Sequence, residues 1–186
     1  MNNIEIQLED SLKRVNFIFK NEVIYTKGIA NHNRFTILGE SFGPFEKGKE
    51  YRLPYFIAVP FIENKILKIH SREKWDNTDV QRFAISERDD QGLLYRENKF
   101  FLNKIKLSRF LLEKEVGANK IPKADLDRFN SHSINLIDNR LFKLLKLARS
   151  NLSLEDERKL TSSEKLLFLK LFELIKIWRN FFLTKN

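Results

Sequence analysis

The chain has 186 residues, of which 42% are hydrophobic and 32% charged, so it can form one or two folded domains and is not wholly disordered. It has no cysteine, which excludes disulfide scaffolds, zinc ribbons and thiol catalysis, and its three histidines are too dispersed for a metal motif. The net charge of +9, from 34 basic and 25 acidic residues, favours solubility first and nucleic-acid binding second.

The N-terminal segment has no secretory signature. Glu5, Glu9 and Asp10 carry the wrong charge for a signal peptide, and no apolar run follows Met1. The most apolar stretch, residues 166–183, is interrupted by four charged side chains and is not expected to cross a membrane. With the absence of cysteine, these features predict a cytoplasmic protein without membrane contact.

Short strand-like signals dominate up to about residue 69. Runs of β-branched and aromatic residues predict strands at 15–19, 22–25 and 34–38. Gly-Pro and Lys-Gly steps then predict turns within 42–49. The pattern indicates a small sheet.

One short helix is predicted within this β-rich part, from Leu53 to Ala58. Pro54 would occupy its first helical position, where a missing N–H costs nothing. Pro60 should limit or kink the helix, because proline disfavours the α conformation at Val59. A last strand is predicted at 65–69.

After His70 the pattern becomes helical. Helices are predicted at 75–90, at 98–115 with Gly117 as the C-terminal cap, and from Pro122 to about 150. A last helix is predicted from the capping box at 161–164 to about 183. The apolar stripe of the third helix is predicted to comprise Ile134, Ile137, Leu141, Leu144 or Leu145, and Ala148. The sequence therefore predicts an α+β fold, with a small N-terminal β-rich domain at 1–70 followed by a C-terminal all-α helical domain at 71–186.

The last helix should begin at a capping box, Thr161-Ser162-Ser163-Glu164. Its apolar residues cover nearly the whole circumference, whereas a surface helix normally has one apolar stripe. Either it is a central core helix, or it packs on the core with one face and on another subunit with the other. We favour the second interpretation, with a predicted subunit interface formed by Phe168, Leu169, Phe172, Ile175, Trp178, Phe181 and Phe182.

Basic residues recur at every third position in the preceding helix, at Arg140, Lys143, Lys146 and Arg149. A solvated face is the ordinary interpretation of such a series. A surface that contacts nucleic-acid phosphates is the sharper alternative.

No catalytic motif is recognisable. Gly39, Gly43 and Gly48 do not form a phosphate-binding loop. The acidic clusters 89–90 and 155–157 have no converging partners and are expected to be solvated loops or helix ends. The sequence predicts a protein that is not an enzyme and that uses no cofactor or metal.

Several motifs, taken in order, resemble the subunits of the GINS replication complex. Gly43-Pro44-Phe45 is followed by an apolar helix start after Pro54, a strand at 65–69 and Trp75, as in the β domain of that family. The run Asn119–Asp125, with Ile121, Pro122 and Lys123 at its centre, closely resembles a junction of the eukaryotic PSF-two subunit. A β domain that precedes the helices resembles the two/three type of subunit, here of archaeal kind.

The resemblance covers about residue 15 to the end of the chain and departs from the family pattern in two places. Pro60 lies within the β-domain helix, and the segment before Trp75 lacks the usual prolines. Both departures concern the domain boundary.

This resemblance implies a non-catalytic scaffold. The expected partners are a sister subunit of the five/one type in a two-plus-two heterotetramer, the MCM replicative helicase and a RecJ-like protein. A primase and a weak or indirect contact with DNA are further expectations, as is a nucleoid-associated location. The alternative is a basic DNA-binding protein that acts in transcription or chromatin.

Overall fold

A computed structural model of the chain describes residues 3–37 and 39–183. A β-containing region is followed by helices, which confirms the predicted α+β class. The elements in chain order are α1 (Asn3–Phe19), β1 (Val23–Gly28), β2 (Phe35–Ile37), β3 (Glu40–Phe42), β4 (Glu50–Pro54), α2 (Tyr55–Glu63), β5 (Leu67–Ile69), a 3-10 turn (Ser71–Glu73), α3 (Asn77–Asp89), α4 (Phe101–Gly117), α5 (Lys123–Leu147), α6 (Leu154–Lys159) and α7 (Ser162–Leu183).

The chain divides into two compact units. The β unit is Asn16–Lys74, and the helical unit comprises Met1–Val15 together with Trp75–Asn186. The predicted boundary was 70/71, whereas the units divide at 74/75, and the part of α1 up to Val15 belongs to the helical unit. The strand predicted at 15–19 is wrong, since these residues form the last turns of that helix. Val15 and Phe19 are buried one turn apart, which is a helical spacing.

The β unit contains a three-stranded antiparallel sheet in the order β4-β1-β5. Alternate side chains of β1 and β4, such as Ile24 and Leu53, are buried on one face, where α2 packs with Ile57 and Ala58. Strands β2 and β3 form a separate hairpin. Pro54 caps α2 instead of occupying its first turn.

Phe45 is the centre of an aromatic cluster in the β unit and is only 1% exposed. Its ring lies 4.9 Å from Tyr51 and 5.1 Å from Phe61, centroid to centroid. Gly28 passes so close to Glu46 that any side chain there would collide with the Glu46 carbonyl oxygen. The Gly48 amide donates to the Gly28 carbonyl at 2.8 Å, which holds the turn of 43–48 against the sheet.

The helical unit is built around α5, which packs on α3, α4 and α7. One apolar cluster joins α3, α4 and α5, and a second joins α5 to α7; they comprise Val80, Ala84, Phe101, Ile105, Phe129 and Leu136, and Leu93, Leu144, Ala148, Leu160 and Phe168.

Helix α4 ends with a different cap from the one predicted. Gly117 is still helical, and Asn119 adopts the left-handed conformation, with φ of 54°. The amide of Lys120 donates to the Glu115 carbonyl and that of Asn119 to the Val116 carbonyl, both at 2.9 Å. This is a Schellman motif, in which asparagine replaces the usual glycine.

The apolar stripe predicted for α5 is partly wrong. Leu144 and Ala148 are buried, but Ile134 and Ile137 are 58% and 44% exposed. Leu141 and Leu145 are exposed too. The buried face instead comprises Phe129, Ser133, Leu136, Arg140, Lys143 and Leu144.

Candidate partner-binding surface on the last helix

Helix α7 begins at the predicted capping box. The Glu164 carboxylate accepts the Thr161 amide at 2.8 Å, and the Thr161 hydroxyl accepts the Glu164 amide at 3.4 Å. Both residues are buried. The start of the helix is therefore fixed by side chains of the helix itself.

Arg140 of α5 holds the same carboxylate. Its Nε donates to Glu164 Oε1 at 2.6 Å, and Nη2 donates to Oε2 at 2.9 Å. On its other side Nη1 donates to Glu87 Oε2 at 2.8 Å. The carbonyls of Leu94 and Lys159 accept the remaining protons at 3.1 Å each. All five donors of this guanidinium, which is 2% exposed, are thus satisfied.

Glu87 is the second acidic centre of this buried network. Lys143 Nζ lies 3.0 Å from its Oε1, and Arg96 Nη2 lies 2.7 Å from its Oε2. Burial raises the pKa of Glu87, but the three cations around it outweigh burial, so its pKa lies below the ordinary value. The pKa of Arg140 is lowered by burial and raised more by its two carboxylates, so it lies above its usual range.

These contacts correct the prediction of a phosphate-contacting surface on α5. Arg140 and Lys143 are buried and bound by carboxylates, so neither is available to a nucleic acid. Lys146 and Arg149 are exposed. The Arg149 carbonyl accepts Nη1 of Arg179 at 2.7 Å, which ties the end of α5 to α7.

The residues predicted for the subunit interface separate into two groups. Phe168 is 4% exposed and belongs to this chain's own core, where Phe172 and Ile175 also pack, half-buried. Leu169 and Trp178 are 59% and 65% exposed. Helix α7 is therefore not a central core helix, because it buries one side and leaves apolar side chains uncovered.

Most side chains in the last two turns of α7 are exposed, although Arg179 is half-buried and bonds to the end of α5. Phe181 and Phe182 are 79% and 66% exposed, and Leu183 is 79% exposed. The ring of Phe182 packs on its own helix, with its centroid 5.2 Å from that of Trp178 and 5.0 Å from that of Phe181. We call the exposed set the apolar end of α7; it comprises Leu174, Ile177, Trp178, Phe181, Phe182 and Leu183.

The residues of the GINS-like motifs lie in turns and helix caps, and only some of them are exposed. Gly43 has φ of 83° and precedes the exposed Pro44, whereas Phe45 is buried in the aromatic cluster and cannot contact a partner. Pro54, half-buried, caps α2. Around the turn into α5, Pro122 is the cap; Ile121 is half-buried, and Pro122 and Lys123 are exposed.

The acidic clusters do not assemble into a site. Asp89 and Asp90 lie at the end of α3, and residues 155–157 form the first turn of α6, a helix that the sequence analysis did not predict. Within the described ranges, no three histidine or acidic side chains converge as metal ligands. None of the helices in the described part of the chain is long and apolar enough to cross a membrane.

No model of a protein family matches the chain, and no curated protein matches its sequence.

Proposed function

We propose that this chain is a non-catalytic subunit of a GINS-type complex, of the two/three type, that acts by scaffolding. The observation that carries the proposal is the apolar end of α7. Trp178, Phe181 and Phe182 are each at least 65% exposed. Aromatic side chains contribute strongly to interfaces, and exposed apolar patches of this kind mark binding surfaces.

The order of the motifs supports the choice of complex. The Gly43-Pro44-Phe45 turn and the capped start of α2 lie in the β unit, and the Ile121-Pro122-Lys123 junction starts the central helix. In the proposed assembly, α7 packs against a five/one-type sister subunit, with two copies of each. The scaffold then joins the MCM helicase to a RecJ-like partner at the replication fork; a primase contact, a weak contact with DNA and a nucleoid-associated location belong to the same proposal.

The variant Trp178→Glu/Phe181→Glu tests the proposed interface. Two buried carboxylates without partners would prevent docking, so we expect loss of co-purification with a co-expressed five/one-type subunit from the same genome. Both side chains are exposed in this chain, so its own fold should be unchanged by circular dichroism.

A matched control changes equally exposed residues away from α7. Tyr95 and Leu154 are 60% and 78% exposed, and Tyr95→Glu/Leu154→Glu should co-purify like the unaltered chain. Unchanged co-purification of the α7 variant, or equal loss in the control, would contradict the proposal.

The alternative is a basic DNA-binding regulator, and it is weakened because the predicted basic surface at 140–149 is partly buried. Of the four residues in the predicted basic series, Arg140 and Lys143 are buried in the ion network, and only Lys146 and Arg149 are exposed. Tight, sequence-dependent binding to duplex DNA is the result that would favour it.

A further inference from the structure

The three-stranded sheet of the β unit has two chemically different faces. Ile24 and Thr26 of β1 are buried on the inner face, where α2 packs, and Gly28 is buried against the 43–48 turn. The alternate positions point outward, so Tyr25 and Lys27 belong to the outer face. A polar outer face is ordinary for an antiparallel sheet. The outer face of this sheet is unusual in its excess of basic residues and in the pairing of two lysines.

Basic side chains dominate the outer face. The strand register places Arg52 of β4 opposite Tyr25, and Lys68 of β5 opposite Lys27. Arg72 follows β5 and lies over the same face, with its guanidinium carbon 3.3 Å from the centroid of the Tyr25 ring. We call Lys27, Arg52, Lys68 and Arg72 the basic face.

The pairing of Lys27 with Lys68 opposes folding. Like charges directly opposite on neighbouring strands are destabilising, because their Cβ atoms lie only about 5 Å apart. Glu50 faces Lys27 from the other side, but its oxygens lie 3.0 Å from His70 Nε2 and 3.2 Å from Arg72 Nη2. Binding of a polyanion would reduce the repulsion between Lys27 and Lys68.

Three of the four cations have no acidic partner. Among the residues that the structure describes, Lys27, Arg52 and Lys68 form no ion pair. Arg52 and Lys68 are exposed and Lys27 is half-buried. Their charges are therefore available to a ligand.

Tyr25 organises the two guanidinium groups. Arg72 stacks on its ring, and the guanidinium carbon of Arg52 lies 5.2 Å from the ring centroid. Planar guanidinium groups bind phosphates with paired hydrogen bonds and also stack on bases. An acidic peptide would use the charges of this surface but not its stacking planes.

We propose that the basic face binds single-stranded nucleic acid. A three-stranded sheet face is broader than the helix or two-stranded ribbon that the major groove of B-DNA admits, whereas single strands lie across such faces. The inference rests on the sheet register and side-chain chemistry, and not on the proposed assembly.

The test is fluorescence anisotropy with the full chain and a labelled oligothymidylate of about 20 nucleotides, titrated at several salt concentrations. The variant Lys27→Gln/Arg52→Gln/Lys68→Gln removes the three unpaired cations. The control Lys20→Gln/Arg34→Gln/Lys47→Gln removes the same residue types from exposed positions of the β unit that lie off the three sheet strands. Circular dichroism establishes that both variants fold; should the triple variant fail to fold, Arg52→Gln alone replaces it.

We expect the basic-face variant to lose affinity by about tenfold or more, and its salt slope to fall by about 2, since each phosphate contact contributes about 0.7. Arg52→Gln alone should reduce the slope by about 0.7. The control should change affinity by less than about threefold. The proposal would be overturned if the unaltered chain did not bind or if both triple variants lost affinity equally. It would also be overturned if duplex DNA competed as well as the single strand. Equal competition by polyglutamate would overturn it too, and would assign the face to an acidic protein segment.

Discussion

Arg140 illustrates how a buried charge is stabilised by complete hydrogen bonding. Its five donors reach two carboxylates and two carbonyls, so the loss of hydration is offset inside the helical unit. Truncating it would leave Glu87 and Glu164 buried with fewer partners. The residue is structural, although its sequence context resembled a nucleic-acid contact.

The first prediction concerns Arg140→Met. Removal of one partner from a buried pair typically costs about 3–5 kcal/mol in the free energy of unfolding, and we expect a loss of this size. Urea denaturation followed by tryptophan fluorescence measures it. Lys146→Met on the same helix is the control and should change stability by less than about 0.5 kcal/mol, because Lys146 is exposed. Equal effects of the two changes would show that the network contributes nothing.

The second prediction is a pH dependence at Glu87. Its pKa is lowered in the folded chain relative to the ordinary value of 4.5. The stabilisation is therefore present above pH 4.5 and is lost as the pH falls through the folded pKa. Urea unfolding at a series of acidic pH values should show stability falling with pH. In Glu87→Gln, already destabilised at neutral pH, the acid slope should be shallower, and an unchanged slope would contradict the assignment.

At the scale of elements, local signals were predictive and long-range contacts were not. The start of α7 could be predicted because the Thr161–Glu164 capping box is contained within four consecutive residues. The strand predicted at 15–19 failed because β-branched and aromatic residues also fit the last turns of an amphipathic helix, where tertiary packing outweighs β propensity.

The orientation of α5 could not be predicted from apolar periodicity. Arg140 bonds to residues 24 and 53 positions away, and no local pattern contains those partners. One signal was present: Leu136, Arg140 and Leu144 follow at helical spacing, which places the arginine between two core residues. The same helix exposes a second apolar stripe, and periodicity alone selected the wrong one.

Adjacent residues on α5 test this orientation. Leu136 is fully buried and Ile137 is 44% exposed. Leu136→Ala should cost about 2–5 kcal/mol, as for core leucines generally, whereas Ile137→Ala should cost less than about 1 kcal/mol. Urea unfolding of the two variants compares them directly. A larger loss at Ile137 would mean that α5 is rotated and that its stripe of isoleucines faces the core.

For the whole molecule, the α+β class followed from the change near residue 70 from strand-like runs to helical periodicity. The division of α1 between the two units did not follow, because residues 3–19 were not predicted to be helical and this division is a tertiary property. For α7, the sequence indicated more apolar side chains than one core-facing stripe requires. It could not separate Phe168, which is core, from Trp178 and Phe181, which are exposed, since that depends on which neighbours α7 contacts.

The proposed assembly requires that a sister subunit covers the apolar end of α7. The most direct measurement is light scattering after size exclusion, with the 22.2 kDa chain co-expressed with a five/one-type subunit from the same genome. We expect one stable complex with the mass of two copies of each chain. A well-behaved monomer that elutes apart from the candidate subunit would contradict it.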